Sequence, residues 1–369
     1  MSTERSIIPV PKQISRIRLE RNAAFIGAAG FEQRSTAGLK LLQGHVEGNV
    51  IAITYKSETS DEDQQSFIRV ARERGTSHNR ISTLEYRSFE PHAFSEGLKS
   101  RLSALRVDRV ILDISAMSKL AILLCLDICR ELRLHVSVHY AEALKYGPTL
   151  EEYQQARAAN ALNRPSFQIY TGVRGVVRVA RFSSVAMQGQ PTAAIAFMSF
   201  NDELIQALLD SVYPSRLFLI NGRPPVLTWR EEATAWIHSR LVSEWPADNP
   251  VDEAGLPIRK ASTLHYREAF NVLHQLYWDL NVDHRILLAP TCSKMQTLAC
   301  FLMVAIHPDI HVEYPTPQGF LHLYSSGIGK SWMVTFGKLH ELVEKLAQHE
   351  QKKYLQVATE TEAEYSPAT

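Results

Sequence analysis

Charge of one sign is what this sequence lacks most plainly. Forty Lys and Arg face thirty-nine Asp and Glu, a formal net charge of +1. No global basic field favours wrapping a long nucleic acid, and no acidic excess favours disorder. Cysteine is scarce as well: Cys125, Cys129, Cys292 and Cys300 are the four in 369 residues. Two pairs at short spacings in a chain this long do not make a disulfide framework. Cys125 and Cys129 stand at i and i+4 of an apolar helix and read as small core hydrophobes. The expectation is a reducing, cytoplasmic compartment.

Long apolar runs are missing too. None approaches the roughly 20 residues of a membrane span. The opening "MSTERSIIPVPKQISRIRLERN" has no continuous apolar stretch of a secretory signal. No membrane partner is expected. Catalytic and cofactor signatures are equally sparse. The fourteen histidines include no H-E-x-x-H or other metal-ligand spacing, so no metal site is expected. There is no G-x-S-x-G elbow. "SSGIGKS" at 325–331 contains Gly-Lys-Ser, but a P-loop needs glycine where Tyr324 stands, and a helix where an alternating strand follows. It reads as a turn that could carry Lys330 over a ligand, with Arg174 as its counterpart. No cofactor is expected.

What is present is a core and a repeat. Hydrophobic residues make up 45% and charged residues 21%, the balance of a globular protein. "ISTLEYRSF" at 81–89 and "ASTLHYREAF" at 261–270 share Ser-Thr-Leu-x-Tyr, and each precedes an amphipathic helix. Then come the strands "RVILDIS" and "HRILLAPT", and the helices "AMSKLAILLCLDICREL" and "TCSKMQTLACFLMVAI". Both helices open on Ser-Lys, at 118–119 and 293–294. "HVSVHYAEA" and "HVEYPTPQ" follow in the same order. The starts correspond as well: "AAFIGAAGFEQRSTAGLKLL" and "TAAIAFMSFNDELIQALLDSV" are each a strand, a turn and a helix. Four matches in one order, at a nearly constant offset, mark a duplication.

The fold class expected is therefore α/β: two tandem Rossmann-like units with parallel sheets, packed as a pseudo-dimer. Each runs strand, helix, strand, helix, strand, helix, strand, then a β-hairpin, from "FQIYTGVRGVVRVARF" and "FLHLYSSGIGKSWMVTF". The first unit spans 1–187, with an insertion at 144–166. The second spans 188–342, and 343–369 closes a helix and frays as a tail.

In open parallel sheets, ligands bind beyond the carboxyl ends of the strands. Two junctions there carry suggestive chemistry. In "IGAAGFEQRS", Gly27 and Gly30 let backbone approach a ligand, and Glu32 and Arg34 follow. The glycine order is not that of a dinucleotide fingerprint, and the second copy replaces it with Ser199, Phe200, Asn201 and Asp202. In "RVILDISAMSK", Ser115 and Ser118 are good N-caps, and Lys119 opposes the helix dipole. An ion pair with Asp113 would account for that lysine. The second copy keeps Ser293 and Lys294, after Thr291, but has Leu288 in place of the acid, so an anion held by both lysines accounts for the pair better.

These motifs resemble the CRISPR-associated Rossmann fold (CARF) family of prokaryotic antiviral defence: a polar loop after the first strand, here "GFEQRS" and "SFND", and a second motif of polar and hydroxyl residues before a lysine, here "DISAMSK" and "PTCSK". The Gly-Gly often preceding that lysine is replaced by Ala116-Met117. The resemblance implies cyclic-oligonucleotide binding across two paired units, and a separate protein effector, since two units use nearly the whole chain. The ligand-binding residues expected are Gly30, Glu32, Arg34, Asp113, Ser115, Ser118, Lys119, Asn201, Thr291, Ser293 and Lys294. Three functions stay open: a nucleotide sensor, an enzyme on the same ligand class using Asp113, Glu32 and Lys119, and a non-catalytic scaffold.

Overall fold

A computed structural model describes residues 7–43, 47–55, 60–159, 172–245, 259–319 and 324–350. The expected tail from 351 onward, residues 246–258 and the end of the 144–166 insertion lie outside these residues.

The strands are β1 (Lys12–Ile14), β2 (Ala23–Ala29), β3 (Asn49–Tyr55), β4 (Ile81–Tyr86), β5 (Arg109–Asp113), β6 (His135–Ala141), β7 (Lys145–Tyr146), β8 (Val173–Arg178), β9 (Thr192–Phe197), β10 (Arg216–Arg223), β11 (Lys260–Ser262), β12 (Arg285–Ala289), β13 (His311–Pro317), β14 (Ser325–Ser326) and β15 (Ser331–Lys338). They form a seven-stranded sheet, β1-β15-β6-β5-β2-β3-β4, and a six-stranded sheet, β11-β10-β9-β12-β13-β8, with β14-β7 as a small ribbon. Within each large sheet five strands are parallel, in the Rossmann-like order 3-2-1-4-5 of the unit's own strands. The fifth strand was not expected. It comes from the repeated Ser-Thr-Leu-x-Tyr stretch itself, which is extended in β4 and in part in β11.

The strands are apolar because both faces are covered. β2, "AAFIGAA", is buried at every position, as a central parallel strand must be. The helices Lys119–Glu131 and Gln296–Ile306 are apolar almost all round, a pattern that requires burial on every side. They pack on each other between the sheets, and one continuous core contains residues of both halves. Ser118 is the N-cap of the first helix, while Ser293 stands three residues before the start of the second, whose N-cap position is Met295. Ser118 Oγ accepts from Ala121 N at 3.2 Å, and Ser293 Oγ accepts from Gln296 N at 3.1 Å.

The expected hairpins are not seen among the described residues. Their first arms lie wholly or largely at 167–171 and 320–323, outside the described residues. Their second arms pair with the other half of the chain. β8 lies antiparallel to β13, from Glu313↔Arg178 to Pro317↔Val173. β15 lies antiparallel to β6, from Ser331↔Ala141 to Lys338↔His135. Each sheet is thus extended by a strand from the opposite half. The N-terminal segment also crosses: Tyr266 Oη donates to Pro9 O at 2.6 Å. Among the described residues, no helix is long and apolar enough to cross a membrane.

Candidate functional site

In each sheet the order of strand addition reverses between the first and fourth strands of the unit, the parallel neighbours β2 and β5 or β9 and β12. The crevice beyond that point is where such sheets bind ligands. Here both crevices open into one cavity of about 430 Å³, walled by both halves. Arg34, Ser118 and Lys119 line it from the first, and Thr291, Ser293 and Lys294 from the second. Six expected residues, both lysines among them, therefore meet in one space. A smaller pocket of about 50 Å³ adjoins it and is lined by Gly30, Glu32, Ser118 and Lys294.

The polar floor is a network centred on Glu32. Its carboxylate accepts from Arg34 Nε at 3.0 Å, Tyr324 Oη at 2.6 Å and Ser325 Oγ at 3.0 Å. Lys294 Nζ lies 3.4 Å away and donates to Ser115 O at 2.9 Å. Arg34 also donates to Ala141 O at 3.2 Å. Burial by itself would raise the Glu32 pKa; Lys294, Arg34 and the Tyr324 hydroxyl outweigh it and hold the carboxyl at about 2. For Lys294 burial wins over Glu32 and, with Arg34 and Lys119 nearby, pushes the ammonium down to about 8. For Arg34, the Glu32 carboxylate outweighs burial and raises an already basic group.

At the other end the wall is aromatic. Arg230 lies over the Phe200 ring at 4.1 Å and over the Tyr146 ring at 5.8 Å, cation–π distances. It donates to Pro148 O and Gly147 O, each at 3.1 Å. Burial pushes its pKa down to about 10, only partly offset by Tyr146. Around the two spaces stand four cations, Arg34, Lys119, Arg230 and Lys294, against two carboxylates, Glu32 and Glu142. An excess of positive charge around a concave space attracts an anion.

Several expectations are corrected. Asp113 does not reach either space. It is 1% exposed and lies under the end of the sheet, where it accepts from Gly38 N at 3.0 Å and Ser115 N at 3.0 Å. His139 Nδ1 stands 3.0 Å from its carboxylate, so its partner is His139 and not Lys119. Burial raises the Asp113 pKa, but His139 and Ser115 outweigh it and leave it below the usual carboxylate value. Ser115 is not a cap. Its hydroxyl bonds Asp113 and accepts from Ala141 N, and only its carbonyl serves the site. Asn201 is buried away from the cavity and accepts from Glu203 N at 2.9 Å. Thr291 lines the cavity, yet its hydroxyl donates to Phe197 O and accepts from Phe197 N, so it has no proton to offer a ligand. Gly30 needs no glycine, since a Cβ there would meet nothing within 4 Å, whereas Gly27 is packed against Phe67. Lys330 and Arg174 are exposed and do not line the cavity. In the second sheet, Ala289 occupies the strand-end place of Asp113, not Leu288.

Sequence reasoning missed Tyr324, Ser325, Tyr146 and Arg230. Tyr324 and Ser325 adjoin the Gly-Lys-Ser turn, and the ribbon of β14 with β7 holds them over Glu32. Phe200 could have been found, because it follows β9 in "SFND". Arg230 carries no local signal. No protein-family model matches this chain, and none of the curated proteins compared with it matches either.

Proposed function

We propose that the shared cavity binds an anionic, ring-bearing small ligand of the nucleotide class, and that the protein is the sensing subunit of a prokaryotic antiviral defence system acting with a separate effector. The observation that carries this reading is the convergence of Lys119 and Lys294, from duplicated Ser-Lys motifs, on one cavity. Cations suit phosphate, and the Phe200 and Tyr146 rings suit a base stacked among aromatic groups and a guanidinium. The volume lies within the range of small-molecule sites. On this reading the chain is a CARF-like pseudo-dimer, its two units related as two protomers would be, with strands β8 and β15 exchanged between them. The asymmetric lining, Glu32 and Arg34 on one side and Phe200 and Arg230 on the other, suits a ligand bound in one orientation.

Binding without turnover is favoured over hydrolysis. The acid expected to act in an enzyme, Asp113, is enclosed, and Glu32 is held as a paired carboxylate. The test is thermal shift of the full chain against mononucleotides, cyclic dinucleotides and linear and cyclic oligoadenylates. At least one should raise Tm in a saturable manner, and the Lys119→Ala/Lys294→Ala double variant should lose that response while remaining folded. If no nucleotide raises Tm, or if the double variant responds as the wild type does, the reading is wrong.

A further inference from the structure

Away from the cavity, three potential metal ligands converge from three helical segments. His274 lies on the helix Tyr266–Leu280. His307 ends the helix Gln296–Ile306. Glu350 lies in the helical run 339–350. Glu350 Oε1 stands 2.7 Å from His274 Nε2, and Oε2 stands 2.9 Å from His307 Nε2. The three donor atoms all lie within 4.8 Å of one another. Among the described residues, no other group of three His, Cys, Asp or Glu converges in this way.

Hydrogen bonding satisfies the cluster only in part. His307 Nε2 and Glu350 Oε2 are buried and face each other without hydrogen-bond geometry, so each lacks a hydrogen-bond partner. His274 Nε2 is pulled two ways: Trp278 Nε1 donates to it at 3.0 Å, while the Glu350 carboxylate, an acceptor, lies beside it. A neutral ring nitrogen is either a donor or an acceptor, not both. A cation resolves this by taking the imidazole lone pairs and the carboxylate together, with the indole N–H turned aside. The His307 ring is fixed by stacking on Tyr277, centroids 3.6 Å apart. The side chains are 12%, 8% and 10% exposed, which excludes most water and still leaves a route of entry.

We propose that His274, His307 and Glu350 bind a divalent first-row transition metal, of the zinc class, which fastens the helical run 339–350 to the two helices beneath it. Two imidazoles and one carboxylate are a known zinc donor set, completed by a water in the fourth position.

The test uses the full chain after removal of metal with a chelator. Calorimetric titration with zinc chloride should give one equivalent per chain, with a rise in Tm that chelator reverses. Cobalt(II) should give the visible bands of a four-coordinate nitrogen–oxygen site, with no thiolate charge-transfer band. His307→Ala and the nearly isosteric Glu350→Gln should each lose the bound equivalent, while His92→Ala, at an exposed histidine, keeps it. An absence of stoichiometric binding by the wild type, a thiolate band, or full binding by Glu350→Gln would overturn the proposal. The first of these outcomes leaves an ion-paired His–Glu–His cluster without metal.

Discussion

Lys294 Nζ donates to the carbonyl oxygen of Ser115 at 2.9 Å, so a lysine of the second half of the chain is anchored on the strand-end loop of the first. The approach is reciprocal. Lys119, from the first half, lies close enough to Cys292 of the second to help lower that thiol's pKa against the effect of burial. Each Ser-Lys motif therefore presents its lysine across the junction of the halves, and the two ammonium groups act on one cavity.

Replacing Lys294 with Met removes a charged hydrogen bond and leaves Glu32 with Arg34, Tyr324 and Ser325. A loss of about 1.5–3 kcal/mol of stability is expected, the usual range for hydrogen bonds to charged groups. Chemical denaturation measures it. The response to an anionic ligand should fall with it, and a variant that keeps full ligand affinity would contradict the placement of Lys294 in the site.

Ligand affinity should depend on pH through the same lysine. Its pKa in the unliganded protein is about 8, and a bound anion favours the charged form. Below pH 8 the ammonium is present and affinity is level. As pH rises through about 8, binding must take up a proton, and affinity falls by up to about tenfold per pH unit. Titration of the ligand by fluorescence or calorimetry between pH 6.5 and pH 9.5 reads this ~3-unit window. A flat profile refutes it.

Glu32 should shape the acid limb of stability. Its folded pKa is about 2, below the ordinary 4.5. The folded state therefore binds fewer protons than the unfolded one, and the stability it contributes is fully present above pH 4.5 and lost as pH falls through about 2. The shift corresponds to on the order of 3 kcal/mol. Glu32→Gln should flatten the fall in stability between pH 5 and pH 2, as measured by urea unfolding at each pH.

Asp113 should behave as a structural residue. Asp113→Asn disturbs the bonds to Gly38, Ser115 and His139, and should cost about 1–3 kcal/mol without altering the ligand response of the protein that remains folded. Gly38→Ala provides a second reading. Its Cβ would sit 2.5 Å from Asp113 Oδ2 and 2.9 Å from His139 Nδ1, an overpacking expected to cost about 1–3 kcal/mol. Loss of ligand binding in folded Asp113→Asn would return that acid to the site.

The halves should not fold apart. Residues 1–187 lack β15, which covers the edge of β6, and residues 188–342 lack β8, which covers β13. Exposed apolar strand edges invite aggregation. Expressed separately, each half should be insoluble or lack a cooperative transition; co-expressed, the two should co-purify as a 1:1 complex. A cooperative, monomeric 1–187 would contradict the importance of the exchange.

The sequence by itself determined the alternation of strands and helices and the Ser118 cap. These depend on local periodicity and on hydroxyls that bond backbone three residues away, and both are written in neighbouring positions. It also placed both lysines at strand ends, where parallel sheets present their ligands. Tertiary structure decided what proximity decides. An alternating segment such as "SWMVTF" declares a strand but not its partner, because hydrogen-bonding edges are chemically alike, so the exchange of β8 and β15 was invisible. Asp113 looked like a site residue because its place in the chain does not reveal that His139, 26 residues later, closes over it from the adjacent strand. Arg230, Tyr324 and the His274–His307–Glu350 cluster come together only through long loops and helix packing. No spacing rule links positions so far apart; the burial that folds the chain does.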